Sequence, residues 1–114
     1  MAKIITIAHQ KGGVGKSTLA LNLAYRFSKE VKTALTDTDP QGSIMQLKDI
    51  VEGIDILDYE GAESLKRKPY DVIFIDTPPY LIENMIPVFL ASDFVLIPTK
   101  AGIPDIMARL KMLG

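Results

Sequence analysis

Residues 10–18 read Gln10-Lys11-Gly12-Gly13-Val14-Gly15-Lys16-Ser17-Thr18, a glycine-rich stretch that ends in a lysine and two hydroxyl side chains. These are the parts of a loop that holds phosphate. Glycines let backbone N–H groups converge on phosphate oxygens with no Cβ in the way. A helix opening at the end of the loop adds its unpaired N–H groups and the positive end of its dipole. In such a loop Lys16 reaches the β- and γ-phosphates of a nucleoside triphosphate, and the Ser17 hydroxyl ligates Mg²⁺. Two acidic stretches carry the complementary chemistry. Thr36-Asp37-Thr38-Asp39-Pro40-Gln41-Gly42 sets two carboxylates one residue apart, and Val72-Ile73-Phe74-Ile75-Asp76-Thr77-Pro78-Pro79 delivers a carboxylate at the end of an apolar run. A carboxylate at such a strand end can hold Mg²⁺ through water.

These residues act together only if the fold brings them to one place. Apolar runs lie at 4–8, 71–76 and 94–98, with a weaker one at 33–36 that runs into Asp37. None alternates cleanly between apolar and polar, which predicts strands covered on both faces, as in a parallel sheet. Ile54-Asp55-Ile56-Leu57 suggests a short edge strand. Leu19, Leu23 and Phe27 recur at helical spacing, with Ala20 and Ala24 widening the stripe, and predict a buried helix over 16–29. Helices are also predicted after Ser43 with Ile44, Leu47 and Val51 on one face, over 61–67, over 82–91 with Pro87 as a kink or late start, and from Pro104. Strands alternating with helices give an α/β fold of βαβ units, with ligands expected at the carboxyl ends of the strands.

Composition narrows the function classes. The chain of 114 residues is one domain at most. Its 13 Lys+Arg against 14 Asp+Glu leave a formal net charge of -1, so no global field holds a polyanion. Hydrophobic residues at 47% exclude a disordered chain. With no cysteine, disulfides, thiolate metal sites and iron–sulfur ligation are excluded. A reducing cytoplasm fits that composition. No apolar stretch approaches a membrane span, and the opening run is too short for a signal peptide.

The loop departs from the general pattern G-x-x-x-x-G-K-[ST], because Gln10 stands where the first glycine belongs. What stands instead is K-G-G-x-G-K-S-T, with a second lysine, Lys11, at its start. This is a deviant Walker A motif, and here the chain resembles the ParA/MinD family of ATPases, most nearly the small plasmid-partition type. The D-x-D-P-Q-G and D-T-P-P stretches resemble that family's further nucleotide motifs, and the likeness runs along nearly the whole chain.

The resemblance implies a P-loop domain spanning 1–114 that binds ATP and Mg²⁺ and hydrolyses ATP slowly. The phosphate loop comprises Lys11, Gly12, Gly13, Val14, Gly15, Lys16, Ser17 and Thr18. Ser17, Asp37 and Asp76 serve the metal, and Asp39 positions the attacking water. Lys11 reaches across a homodimer to the partner's nucleotide, so that hydrolysis releases the dimer. The implied partners are a second copy, a ParB-like activator and non-specific DNA, with cargo positioning or DNA segregation as the output and no membrane attachment. The family's sheet places the first strand between those at 71–76 and 94–98, with 33–36 beyond 71–76. Members extend past residue 114, so the chain reads as the N-terminal part of such an ATPase.

Other residues carry weaker signals. His9, beside the loop, reads as a packed or loop-facing residue more readily than a base, because phosphoryl transfer depends on positioning. Lys66-Arg67-Lys68 reads as a solvated basic turn with DNA phosphate as its alternative. The amphipathic stretch 103–113 reads as a crossover helix, with a membrane helix as its alternative. Lys100 has no spacing argument behind it. Three rival functions remain. A redox ATPase like the nitrogenase iron protein needs cluster cysteines that this chain lacks. A metabolic kinase or synthetase on the same fold lacks the Lys11 signature. A non-catalytic nucleotide-binding fragment would dock on a partner without turnover.

Overall fold

The computed structural model describes residues 1–8, 16–38, 44, 52–77 and 82–96, with side chains described at all of these except 16–18 and 82–85. Among the described residues five strands form one sheet: β1 (Lys3–Ile7), β2 (Thr33–Asp37), β3 (Asp55–Leu57), β4 (Val72–Asp76) and β5 (Phe94–Leu96). Three helices among the same residues accompany them: α1 (Lys16–Ser28), α2 (Ala62–Lys66) and α3 (Ile82–Ala91). The strand order is β3-β2-β4-β1-β5, and every pairing is parallel. This is the expected order, with β1 between β4 and β5, β2 beyond β4, and the short strand at 55–57 on the outside.

The absence of alternation has its cause in the two packed faces. Ile5 and Ile7 of β1, Leu35 of β2, Val72 and Phe74 of β4 and Leu96 of β5 join Leu19, Ala20, Leu23 and Ala24 of α1 in one buried cluster. Ile4, Ala34, Ile73 and Ile75, one position out of phase, join Leu65 of α2 and Val88 of α3 on the other side. Since successive strand residues point to opposite faces, both phases must be apolar. Phe27 completes the α1 side, its ring meeting that of Phe74 edge-on with centroids 5.2 Å apart.

Boundaries shift slightly from those expected. β2 extends through Asp37, because the strand keeps its parallel register with β4 up to Asp76. Its two threonines are buried without cost to the core: Thr33 donates to Val31 O at 3.0 Å and Thr36 donates to Leu57 O at 2.7 Å. Pro87 lies inside α3, which starts five residues earlier at Ile82, so it does not mark the helix start. α2 opens after Gly61, whose φ of 106° favours glycine. Ile44 is fully buried against the α1 cluster. The rest of the helix expected after Ser43, His9, residues 97–98, Lys100 and the helix expected from Pro104 lie outside the described residues.

Two aspartates pin the amino ends of the strands. Asp71, just before β4, accepts the Lys32 N–H on Oδ2 at 2.8 Å, and its own N–H donates to Lys32 O at 2.8 Å. Asp93, just before β5, accepts the Ile4 N–H on Oδ2 at 2.8 Å, while its own N–H donates to Ile4 O at 2.8 Å. Each carboxylate thereby satisfies an amide at the end of a ladder and sets the register of the next strand.

Candidate nucleotide site

Parallel strands joined by a helix force that helix to run back against them. α1 leaves β1 at its carboxyl end and returns the chain to the start of β2, so its amino terminus lies at the carboxyl edge of the sheet. Lys16, Ser17 and Thr18 form the first turn of α1. Lys11, Gly12, Gly13, Val14 and Gly15 lie outside the described residues, as does Asp39. The described chain fixes both anchors of the loop, at Ala8 and Lys16.

The two other predicted carboxylates meet at that same edge. Asp37 ends β2 and Asp76 ends β4, and they are direct partners across the parallel pair. Ile7 at the end of β1 is the partner of Asp76 on its other side. Both aspartates lie two residues beyond Leu35 and Phe74, which face α1, so by strand periodicity they emerge on the α1 side of the sheet. Three segments distant in sequence are thus brought to one corner: the first turn of α1, Asp37 and Asp76. Asp37 is 5% exposed and Asp76 is 2% exposed, and each is engaged by other groups. Adjacent carboxylates so buried repel one another unless positive charge is near. A lysine ammonium or a divalent cation supplies it, and carboxylates with a serine hydroxyl are the oxygen ligands that Mg²⁺ accepts, usually with several waters retained. The donor set therefore fits that ion. Among the described residues no group of three or more His, Asp or Glu side chains forms a cage of its own.

A relay of hydroxyls that sequence reasoning missed holds this edge together. Thr38 donates both its N–H, at 3.1 Å, and its hydroxyl, at 3.3 Å, to the carbonyl of Asp76. Thr77, 2% exposed, donates its hydroxyl to the carbonyl of Ile7 at 2.8 Å. The Ala8 N–H then donates to Leu96 O at 2.8 Å. The chain of bonds runs from β2 to β4 to β1 to β5, and it fixes the last described peptide before the loop. The available signal was the repeated Asp-Thr at the end of two strands.

Comparison with known proteins agrees with this architecture. Residues 5–113 match the model of the CobQ/CobB/MinD/ParA nucleotide binding domain. The chain is 33% identical over 114 residues to the maintenance of carboxysome distribution protein A of Gloeobacter kilaueensis, covering 91% of this chain and 52% of that one. It is 28% identical over 151 residues to the chromosome-partitioning ATPase Soj of Thermus thermophilus, covering 94% of this chain and 61% of that one. Among solved structures, a plasmid partition protein of Borrelia burgdorferi bound to AMPPNP superposes with a TM-score of 0.72 at 27% identity, over 98% of this chain and 69% of the other. The chain thus spans between about half and two thirds of the length of those two curated relatives. With the matched model extending over all but a few residues at either end, the chain belongs to the CobQ/CobB/MinD/ParA family of nucleotide-binding domains.

Proposed function

We propose that the chain is the nucleotide-binding domain of a Mg²⁺-dependent ATPase, a cytoplasmic switch that dimerises on ATP and positions DNA or another cargo. The observation that carries this reading is the convergence at one sheet edge of Asp37, Asp76 and the first turn of α1, which opens with Lys16 and Ser17. The loop from Lys11 to Thr18 binds the phosphates through its backbone N–H groups, and Lys16 compensates their charge. Ser17, Asp37 and Asp76 hold the metal's ligand shell, and Asp39 orients the attacking water. Mg²⁺ held by these residues would supply positive charge against the triphosphate. Lys11 completes the site of a second copy, which makes hydrolysis the event that releases the dimer. A ParB-like activator and a DNA surface are the partners of this reading. Its relatives' names differ in cargo, carboxysomes in one and chromosomes in another, so cargo positioning is the common denominator.

The test is to separate the steps. Lys16→Ala leaves phosphate charge uncompensated, at a cost of about 2–5 kcal/mol by analogy with other broken charge pairs. Calorimetry with Mg·ATP then shows binding lost. Lys11→Ala binds ATP but does not dimerise with it. Asp39→Ala dimerises with ATP and persists as a dimer, read by light scattering. Parent-like ATP affinity in Lys16→Ala overturns the phosphate-loop assignment.

A further inference from the structure

α3 is apolar almost all round. Between Ile82 and Ala91 only Glu83 and Asn84 are polar. A helix without a polar face belongs in a protein interior. Yet α3 turns only part of its surface inward. Val88 and Ala91 are buried, whereas Ile86 is 50% and Leu90 81% exposed. Ile86 and Leu90 stand four residues apart, so they share one face of the helix. Val95 of β5 adds to this surface. Phe94 and Leu96 join the α1 cluster, so Val95, one position out of phase, points to the α3 side, where it is half-buried. α2 packs along α3, and among the described residues no third helix lies on this side of the sheet.

The topology fixes where a further helix must go. From β1 to β2 and from β2 to β3 the chain moves toward the β3 edge, and both connections pass the α1 side. α1 lies in the first, and Ile44, buried in the α1 cluster, in the second. From β3 to β4 and from β4 to β5 it moves toward the β5 edge, and both connections carry their helices, α2 and α3, on the other side. One hand of crossover accounts for all four. A helix that follows β5 outward from the sheet edge and keeps that hand lies on the α3 side, over the flank that α2 leaves open.

The sequence predicts such a helix. Ile103, Ile106, Met107, Leu110 and Leu113 fall within about 120° of arc at the helical repeat, with Asp105, Arg109 and Lys111 outside it. As a helix, 103–113 spans about 16 Å, against about 15 Å for the 10 residues of α3. Residues 97–102 give about 20 Å of extended chain, more than the roughly 10 Å between packed neighbours.

We propose that the exposed face of α3 is the docking surface for residues 103–113 of the same chain. Both helices start at the carboxyl edge of the sheet and run the same way, which sets Ile106 toward Ile86 and Leu110 toward Leu90. The apolar stripe of 103–113 is then used inside the fold and is not free to lie on a lipid surface.

The chain has no cysteine, so substituted pairs report the contact directly. Leu90→Cys/Leu110→Cys, oxidised with diamide at low protein concentration, closes an intramolecular disulfide that intact mass and non-reducing electrophoresis detect. Tyr25→Cys/Leu110→Cys does not, because Tyr25 is exposed on α1, across the sheet. A second measurement needs no disulfide geometry. A maleimide labels Leu90→Cys about tenfold more slowly than Leu90→Cys/Leu110→Asp, whose new carboxylate cannot be buried against α3. Circular dichroism reports the folding of each variant. Labelling of Leu90→Cys that Leu110→Asp leaves unchanged, or equal crosslinking in the Tyr25 control, overturns the proposal. So does a disulfide between two chains with a dimer in sedimentation, which gives the face to a second copy. Binding of the parent to anionic phospholipid vesicles that Leu110→Asp abolishes gives the stripe to a membrane and overturns it as well. Every measurement runs without nucleotide, so failure of the ATPase reading leaves this one standing.

Discussion

Thr77 shows how one hydroxyl can matter to a site it does not enter. It sits between Asp76, the carboxylate of β4, and the carbonyl of Ile7, the last residue of β1 before the proposed phosphate loop. A buried carbonyl that loses its donor costs about 1–3 kcal/mol. Thr77→Val keeps the shape and removes the donor, whereas Thr77→Ser keeps the donor and removes a methyl. If the hydroxyl positions the loop, the valine variant weakens Mg·ATP binding by about tenfold, the equivalent of about 1.4 kcal/mol, and serine restores most of it. Equal ATP affinity in parent and valine variant, with only thermal stability lowered, would make Thr77 a purely structural contact. The carboxylates of this edge were legible in the sequence because each ends an apolar run. The hydroxyl's role was not, because its partner lies 70 residues away and no local pattern links them.

At the scale of elements, legibility followed hydrophobic content. β1, β4 and α1 announced themselves through Ile, Val and the spacing of Leu19, Leu23 and Phe27, and their faces were read correctly. β2 was the weakest of the four main runs, since Thr33 and Thr36 interrupt it, yet it lies inside the sheet between β3 and β4. Hydrogen bonds to Val31 and Leu57 make those threonines compatible with burial, and that satisfaction is tertiary. The pinning of strand starts by Asp71 and Asp93 has no local signature for the same reason, its partners lying 39 and 89 residues away. α1 is the element that couples core to site, since it covers the sheet and its first turn carries Lys16 and Ser17. Leu23, 6% exposed, lies in the middle of its buried stripe. Leu23→Ala should lower unfolding free energy by about 2–5 kcal/mol, the usual range for such a cavity. Urea denaturation measures it; a loss under about 1 kcal/mol would mean that α1 repacks freely on the sheet.

For the described part of the molecule, the sheet has the Asp37 and Asp76 carboxylates at its carboxyl edge and the cations Lys32, Lys66, Arg67 and Lys68 at its amino end. Tyr70 ties the cationic end to the outer strand, its hydroxyl donating to Asp55 Oδ2 of β3 at 2.6 Å. Desolvation first, then the hydrogen bond to Asp55 and the charge of that carboxylate, push the Tyr70 phenol up from 10.0 to about 12. A phenol ionises by losing a proton, so a raised value means that folding favours the neutral form. The stabilisation is therefore complete below pH 10, the value for the unfolded chain, and is lost as the pH rises through about 12. The unfolded chain sheds the proton first, and the slope of stability with pH is negative across that window. Tyr70→Phe isolates the share: it lacks the bond at every pH, and its stability falls less steeply than the parent's between pH 10 and 12. Urea melts at the two ends of the window, taken for both proteins, read the difference. Parallel declines would show that the Tyr70–Asp55 bond is too exposed to couple β3 to the rest of the sheet, and that the outer strand is held by its ladder with β2 alone.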